Sequence, residues 1–164
     1  MRHPVILVMG VAGAGKTTIG KALAQDIGAA FVDADDYHSK ENIAHMAAGK
    51  SLSDDMRWPW LDIVGEETKS AASKQKTVLA CSALKRIYRD YLRASFTFTL
   101  VYPQVPLPIV QKRLARFGRR GIPMRFLRSQ YDALSEPTKD EAPIIVSGDQ
   151  PIEAIIAETK AQLR

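Results

Sequence analysis

Gly10-Val11-Ala12-Gly13-Ala14-Gly15-Lys16-Thr17 constrains this chain more than any other stretch. It fits G-x-x-x-x-G-K-[S/T] at every fixed position and follows the apolar run Val5-Ile6-Leu7-Val8-Met9. Residues 17–27 come next, with Ile19, Leu23 and Ile27 at helical spacing and Gly28 to end the segment. A strand buried on both faces, then a glycine-rich turn, then a helix start is the context in which this motif cradles phosphate. Glycines let successive N–H groups curl towards phosphate oxygens, and the helix start adds partial positive charge. The residues expected to hold a nucleoside triphosphate are Gly10, Ala12, Gly13, Ala14, Gly15, Lys16, Thr17 and Thr18. Lys16 would reach the β- and γ-phosphates, and the Thr17 hydroxyl would ligate Mg²⁺.

The remaining pattern extends that unit. Short apolar strands are expected at 30–32, 77–81, 96–102 and 144–146. Helices are expected at 39–48, 59–75, 84–93, 107–117, 125–134 and 151–163. Pro59 and Pro151 read as first-turn prolines. Alternating buried strands and helices predict an α/β three-layer sandwich around a five-stranded parallel sheet, with ligands beyond the carboxyl ends of the strands. The 164 residues fit a single domain, 1–164. One cysteine, Cys81, excludes an internal disulfide and suits a reducing compartment, and no apolar run is long enough to cross a bilayer. The expectation is a cytoplasmic protein.

The net charge of +5 raises the question of nucleic acid. Much of the excess gathers at Arg113, Arg116, Arg119, Arg120, Arg125 and Arg128, a local cluster without the interleaved aromatics that single-strand stacking requires. It serves a polyphosphate equally well, so neither nucleic acid nor membrane is expected as a partner. Residues 113–128 read as a mobile lid. Arg113 is its first choice for stabilising charge on a transferring phosphoryl group, a contribution on the order of 10³-fold, with Arg116 on ATP and Arg120 on the same helical face.

Asp33-Ala34-Asp35-Asp36 follows the second strand directly. In extended chain Asp33 and Asp35 share a side. Phosphoryl transfer to an alcohol needs a metal near the γ-phosphate and a group that takes the hydroxyl proton. Asp35 is assigned the acceptor hydroxyl, Asp33 the metal's water shell, and Asp36 the role of a helix cap.

At this point the residues resemble a family, the thermoresistant-type gluconokinases, relatives of shikimate kinase among the small P-loop kinases. Asp33-Ala34-Asp35 with His38, Asn42, Met46 and Gly49 is similar to its second-strand signature. Leu52-Ser53-Asp54 with Arg57, Pro59, Trp60 and Leu61 is similar to the next block. Cys81-Ser82-Ala83-Leu84-Lys85 with Tyr88-Arg89 and Leu92-Arg93 is similar to the third. Ser129-Gln130, Leu134 and Glu136-Pro137 resemble the segment after the lid. The chain departs from the family at Met56, where an acidic residue is usual, and at Arg120-Gly121, where His-Phe is usual. Phe117 also stands where the second lid arginine is usual.

The resemblance implies phosphorylation of D-gluconate to 6-phospho-D-gluconate with ATP and Mg²⁺, by a homodimer. For a sugar acid, Arg57 and Lys85 become candidates for the carboxylate or hydroxyls, with Arg89 and Gln130 behind them and His38 in reach. Shikimate is disfavoured because Cys81-Ser82-Ala83 stands where a glycine triplet is expected. Another small acid, a nucleotide-dependent regulatory protein and a polynucleotide kinase are the alternatives.

Overall fold

The computed structural model describes residues 4–116 and 124–163. Its centre is β1 (Val5–Val8), a strand short enough that all four residues are buried. β1 pairs in parallel with β3 (Thr77–Ala80) on one side and β4 (Thr99–Gln104) on the other. β2 (Ala30–Asp33) adds to β3 and β5 (Ile144–Ser147) to β4, also in parallel, giving the order β2-β3-β1-β4-β5.

Alternation along β1 feeds both faces of the sheet. Val5, Leu7 and Met9 turn towards Trp60, Leu61 and Val64 of α3 (Asp54–Ala72) and Tyr88 and Leu92 of α4 (Arg86–Arg93). Ile6 and Val8 turn towards Ile19 and Leu23 of α1 (Lys16–Ile27) and Ile155 of α7 (Ile152–Gln162). Each such aliphatic side chain contributes roughly 1.5–3 kcal/mol by leaving water. The three layers and the parallel sheet match the sequence expectation. A third cluster lies at the carboxyl rim of the strands. There Val11 and Ala14 of the glycine-rich loop meet Val110 of α5 (Leu107–Arg116) and Leu127 of α6 (Met124–Ala133).

Several boundaries differ from expectation, each for a local reason. α3 begins at Asp54 rather than near 59, because the Ser53 hydroxyl accepts from the Met56 amide and caps it. Pro59 therefore sits inside α3, not in a first turn. Asp36 caps nothing. It lies within a 3₁₀ turn over Ala34–Tyr37 whose cap is Asp33, while Ser39 caps α2 (Lys40–Ala47). β4 begins at Thr99, since Phe96 packs into the core ahead of the strand. Cys81 is buried as expected, and that burial pushes its thiol up to about 12, beyond useful nucleophilicity. No helix among the described residues is long and apolar enough to cross a membrane.

Candidate active site

Because every strand is parallel, the loops after them open on one rim, and β1 sits where the connections change direction. A cleft of about 690 Å³ lies there. One wall is the loop 10–17 running into α1. Gly15 is the residue before the helix and holds φ at 91°, a left-handed conformation that a side chain strains. Gly13 (φ 80°) is closed to substitution twice over, since a Cβ there would stand 2.8 Å from Val110 Cγ1. The first turn of α1 carries no acidic residue to oppose an anion at its amino end. Lys16 Nζ donates to the Val11 carbonyl at 3.0 Å and lines the cleft beside Thr17 and Thr18.

The acidic pair is split by geometry. Asp33, at the end of β2, accepts from the Thr17 hydroxyl at 2.8 Å through Oδ2 and from the Asp35 amide at 3.0 Å through Oδ1. Its carboxylate is thus pinned beside the loop, next to the hydroxyl expected to bind metal. Asp35 stands in the 3₁₀ turn with its side chain 66% exposed and lines the cleft. His38, its side chain only 5% exposed, lies 3.8 Å from Asp35 Oδ1 through Nε2 and stacks on Trp60 at 4.2 Å. Asn42 Nδ2 donates towards His38 Nδ1 at 3.4 Å, which leaves the ring proton on Nε2, facing Asp35. Burial lowers the His38 pKa, Asp35 partly opposes that, and Arg57 adds to it, so the ring is held neutral.

Arg57, one turn into α3, is 7% exposed and lines the cleft. Its guanidinium lies 5.1 Å from the centre of the Tyr88 ring, and its Nε has no hydrogen-bond partner among the described residues. A buried, unpaired donor at the wall of a cleft is costly unless a ligand meets it.

The other expected contacts sit elsewhere. Lys85 pairs with Asp54 at 2.9 Å, lies 5.6 Å from the centre of the Tyr88 ring, and is not among the residues that line the cleft. Arg89 corrects the sequence expectation outright: it is fully buried and away from the cleft. Its Nε and Nη2 hold Glu141 at 2.8 and 3.0 Å, and its remaining N–H groups donate to the carbonyls of Ala83, Leu84 and Ser135. With every donor met, it fastens the turn after β3, where Ala83 holds φ at 43°, to the segment after α6. Gln130 lines the cleft but accepts from the Ala12 amide. Arg113 donates to the carbonyls of Gly13 and Gly148, bridging the phosphate loop to the turn after β5. Arg116 ends α5, and its side chain, with Phe117, Arg119, Arg120 and Gly121, lies outside the described residues.

The sequence reading missed Ser82 in the cleft wall, whose carbonyl accepts from the Gly10 amide, and Tyr88 under Arg57. Both were signalled only as members of one motif block, and it is the pairing of β1 with β3 that brings Ser82 to Gly10.

The whole chain carries the same likeness. The shikimate kinase family model matches residues 12–160. Thermoresistant gluconokinase of Escherichia coli K12 is 34% identical over 160 residues, covering 96% of this chain and 91% of that one. The chain belongs to the gluconokinase family. A probable gluconokinase of Mus musculus is 38% identical, covering 98% of this chain and 97% of that one. The crystal structure of a gluconokinase from Sinorhizobium meliloti 1021 superposes with a TM-score of 0.87 at 35% identity, over 98% of this chain and 90% of that one. Membership in this family of shikimate-kinase-like P-loop kinases carries nucleotide use with it.

Proposed function

We propose that this chain phosphorylates D-gluconate at its 6-hydroxyl with ATP, giving 6-phospho-D-gluconate and ADP. The observation that carries the substrate class is Arg57: a buried guanidinium whose Nε–H has no partner among the described residues, lining the same cleft as the phosphate-binding loop. A planar fork of this kind fits a carboxylate. Sugar acids offer a carboxylate at one end and an alcohol at the other, which matches a cleft bounded by Arg57 and the loop.

In this reading Lys16 and the loop amides other than those of Gly10, Ala12 and Ala14, which protein acceptors hold, meet the β- and γ-phosphates. Asp35 receives the proton of the 6-hydroxyl as that oxygen bonds to the γ-phosphorus and the bond from phosphorus to the bridging oxygen breaks, releasing ADP. His38, neutral and with Nε2–H towards Asp35, orients the carboxylate. Thr17 and Asp33 fit a Mg²⁺ site, since one offers a hydroxyl and the other a carboxylate 2.8 Å away. A bound Mg²⁺ there would supply charge neutralisation on the phosphates. Arg113 grips the nucleotide side of the cleft, and acting on the γ-phosphate would require it to release both carbonyls. Lys85, paired with Asp54 beside Tyr88, is given no contact with the sugar acid. The single domain 1–164, the lid at 113–128, the homodimer and the cytoplasmic setting complete the proposal, and a solution mass twice that of the chain tests the dimer.

A coupled ADP-release assay across gluconate, shikimate and other sugar acids tests the assignment. Gluconate is expected to raise the rate well above ATP alone. R57K, which keeps the charge but loses the fork, is expected to raise the gluconate KM about tenfold or more with little change for ATP. No stimulation by any small acid would end the kinase reading.

A further inference from the structure

We infer that Gln130 is a positioning residue of the phosphate-binding loop, acting through the Ala12 amide, and is not a sugar-acid ligand. The inference rests on the reading that this loop binds nucleotide.

At the start of the loop, alternate amides are held by acceptors of the protein. Gly10 N–H donates to the Ser82 carbonyl at 3.2 Å, Ala14 N–H to the Val11 carbonyl at 3.1 Å, and Ala12 N–H to Gln130 Oε1 at 3.0 Å. The first two acceptors are main chain, which any side chain would supply. The third depends on residue identity and comes from an element 118 positions away. Gln130 is placed to do this. It is 8% exposed, and Leu127, one turn earlier on α6, packs in the same cluster as Val11 and Ala14. Its Oε1 therefore sets where the Ala12 amide stands before any phosphate arrives. Fixing Ala12 in turn fixes its neighbours in the loop, and preorganised amides bind an anion better than amides that must first be gathered. The same bond connects the loop to the helix that follows 117–123, so a shift of α6 would be felt at the phosphates.

The test uses Q130M and Q130L, which lack the acceptor, and Q130E, which keeps an accepting oxygen at the same reach. In the nucleotide-free wild type, hydrogen exchange read by NMR is expected to find the Ala12 amide protected. Protection should be lost in Q130M and Q130L and retained in Q130E. Titration with ADP should give a Kd roughly three- to tenfold higher in Q130M, the loss of one hydrogen bond. The gluconate KM should stay within twofold. An unprotected Ala12 amide in the wild type overturns the inference, as does an ADP Kd in Q130M that falls or stays within twofold. A gluconate KM that rises more than the ADP Kd also overturns it, in favour of a sugar-acid ligand. Should the wild type ignore gluconate, the proposed substrate fails, while exchange and ADP binding still decide the role of Gln130.

Discussion

In the proposed reaction Lys16 and Asp35 divide the chemistry, and substitution should separate them. K16M removes the ammonium expected on the β- and γ-phosphates, and activity should fall below detection. The fold should survive, as Lys16 lines a cleft rather than the core; circular dichroism and a thermal melt check this. D35N keeps the shape and loses the carboxylate proposed as the base. It should lower kcat by about 10²-fold or more, with ATP affinity nearly unchanged, because proton transfer matters only at the chemical step. Equal losses in both would make Asp35 a nucleotide residue. The left-handed glycines of loop 10–17 were legible in the sequence, since their spacing is set by local backbone geometry. The extended chain expected to align Asp33 with Asp35 is instead a 3₁₀ turn that Asp33 caps. Arg89 was not legible. On α4 it reads as one charge among several on a helix face, and only Glu141, 52 residues further on, turns it inward.

That pairing belongs to the scale of elements. Arg89 and Glu141 are 0% and 1% exposed in their side chains, and Arg93 also reaches Glu141. Burial alone would raise the Glu141 pKa, but hydrogen bonds from Arg89, Arg93 and the Thr138 amide outweigh it and hold the carboxyl at about 2. E141Q leaves the Arg89 guanidinium buried without its counter-charge and should cost roughly 3–5 kcal/mol in urea denaturation. The sign with pH follows from a folded pKa below the ordinary 4.5. The wild type should keep this stabilisation above about pH 4.5 and lose it as pH falls towards 2, whereas E141Q should lack that part of the acid dependence. Element boundaries were less legible than element types. Ser53 and Ser39 start their helices by capping, and a serine cap competes in sequence with nearby prolines and aspartates that look equally suitable.

Across the whole molecule, the parallel sheet was legible because strands buried on both faces have no polar alternation, and the helices between them force parallel crossovers. What gathers at the rim was only partly so. The cleft takes residues from loop 10–17, the 3₁₀ turn, α3 and α6, and no local signal tells which member of an arginine-rich sequence faces it. Arg57 and Arg113 do, Lys85 pairs with Asp54 away from it, and Arg89 is part of the core. The central claim is that a phosphoryl group passes from the loop to an alcohol at Asp35. Phosphorus NMR of a reaction containing ATP, Mg²⁺ and gluconate tests it most directly. A phosphate ester on carbon 6, formed one for one with ADP by the wild type and nearly absent with D35N, is the predicted result; ADP accompanied only by inorganic phosphate would contradict it.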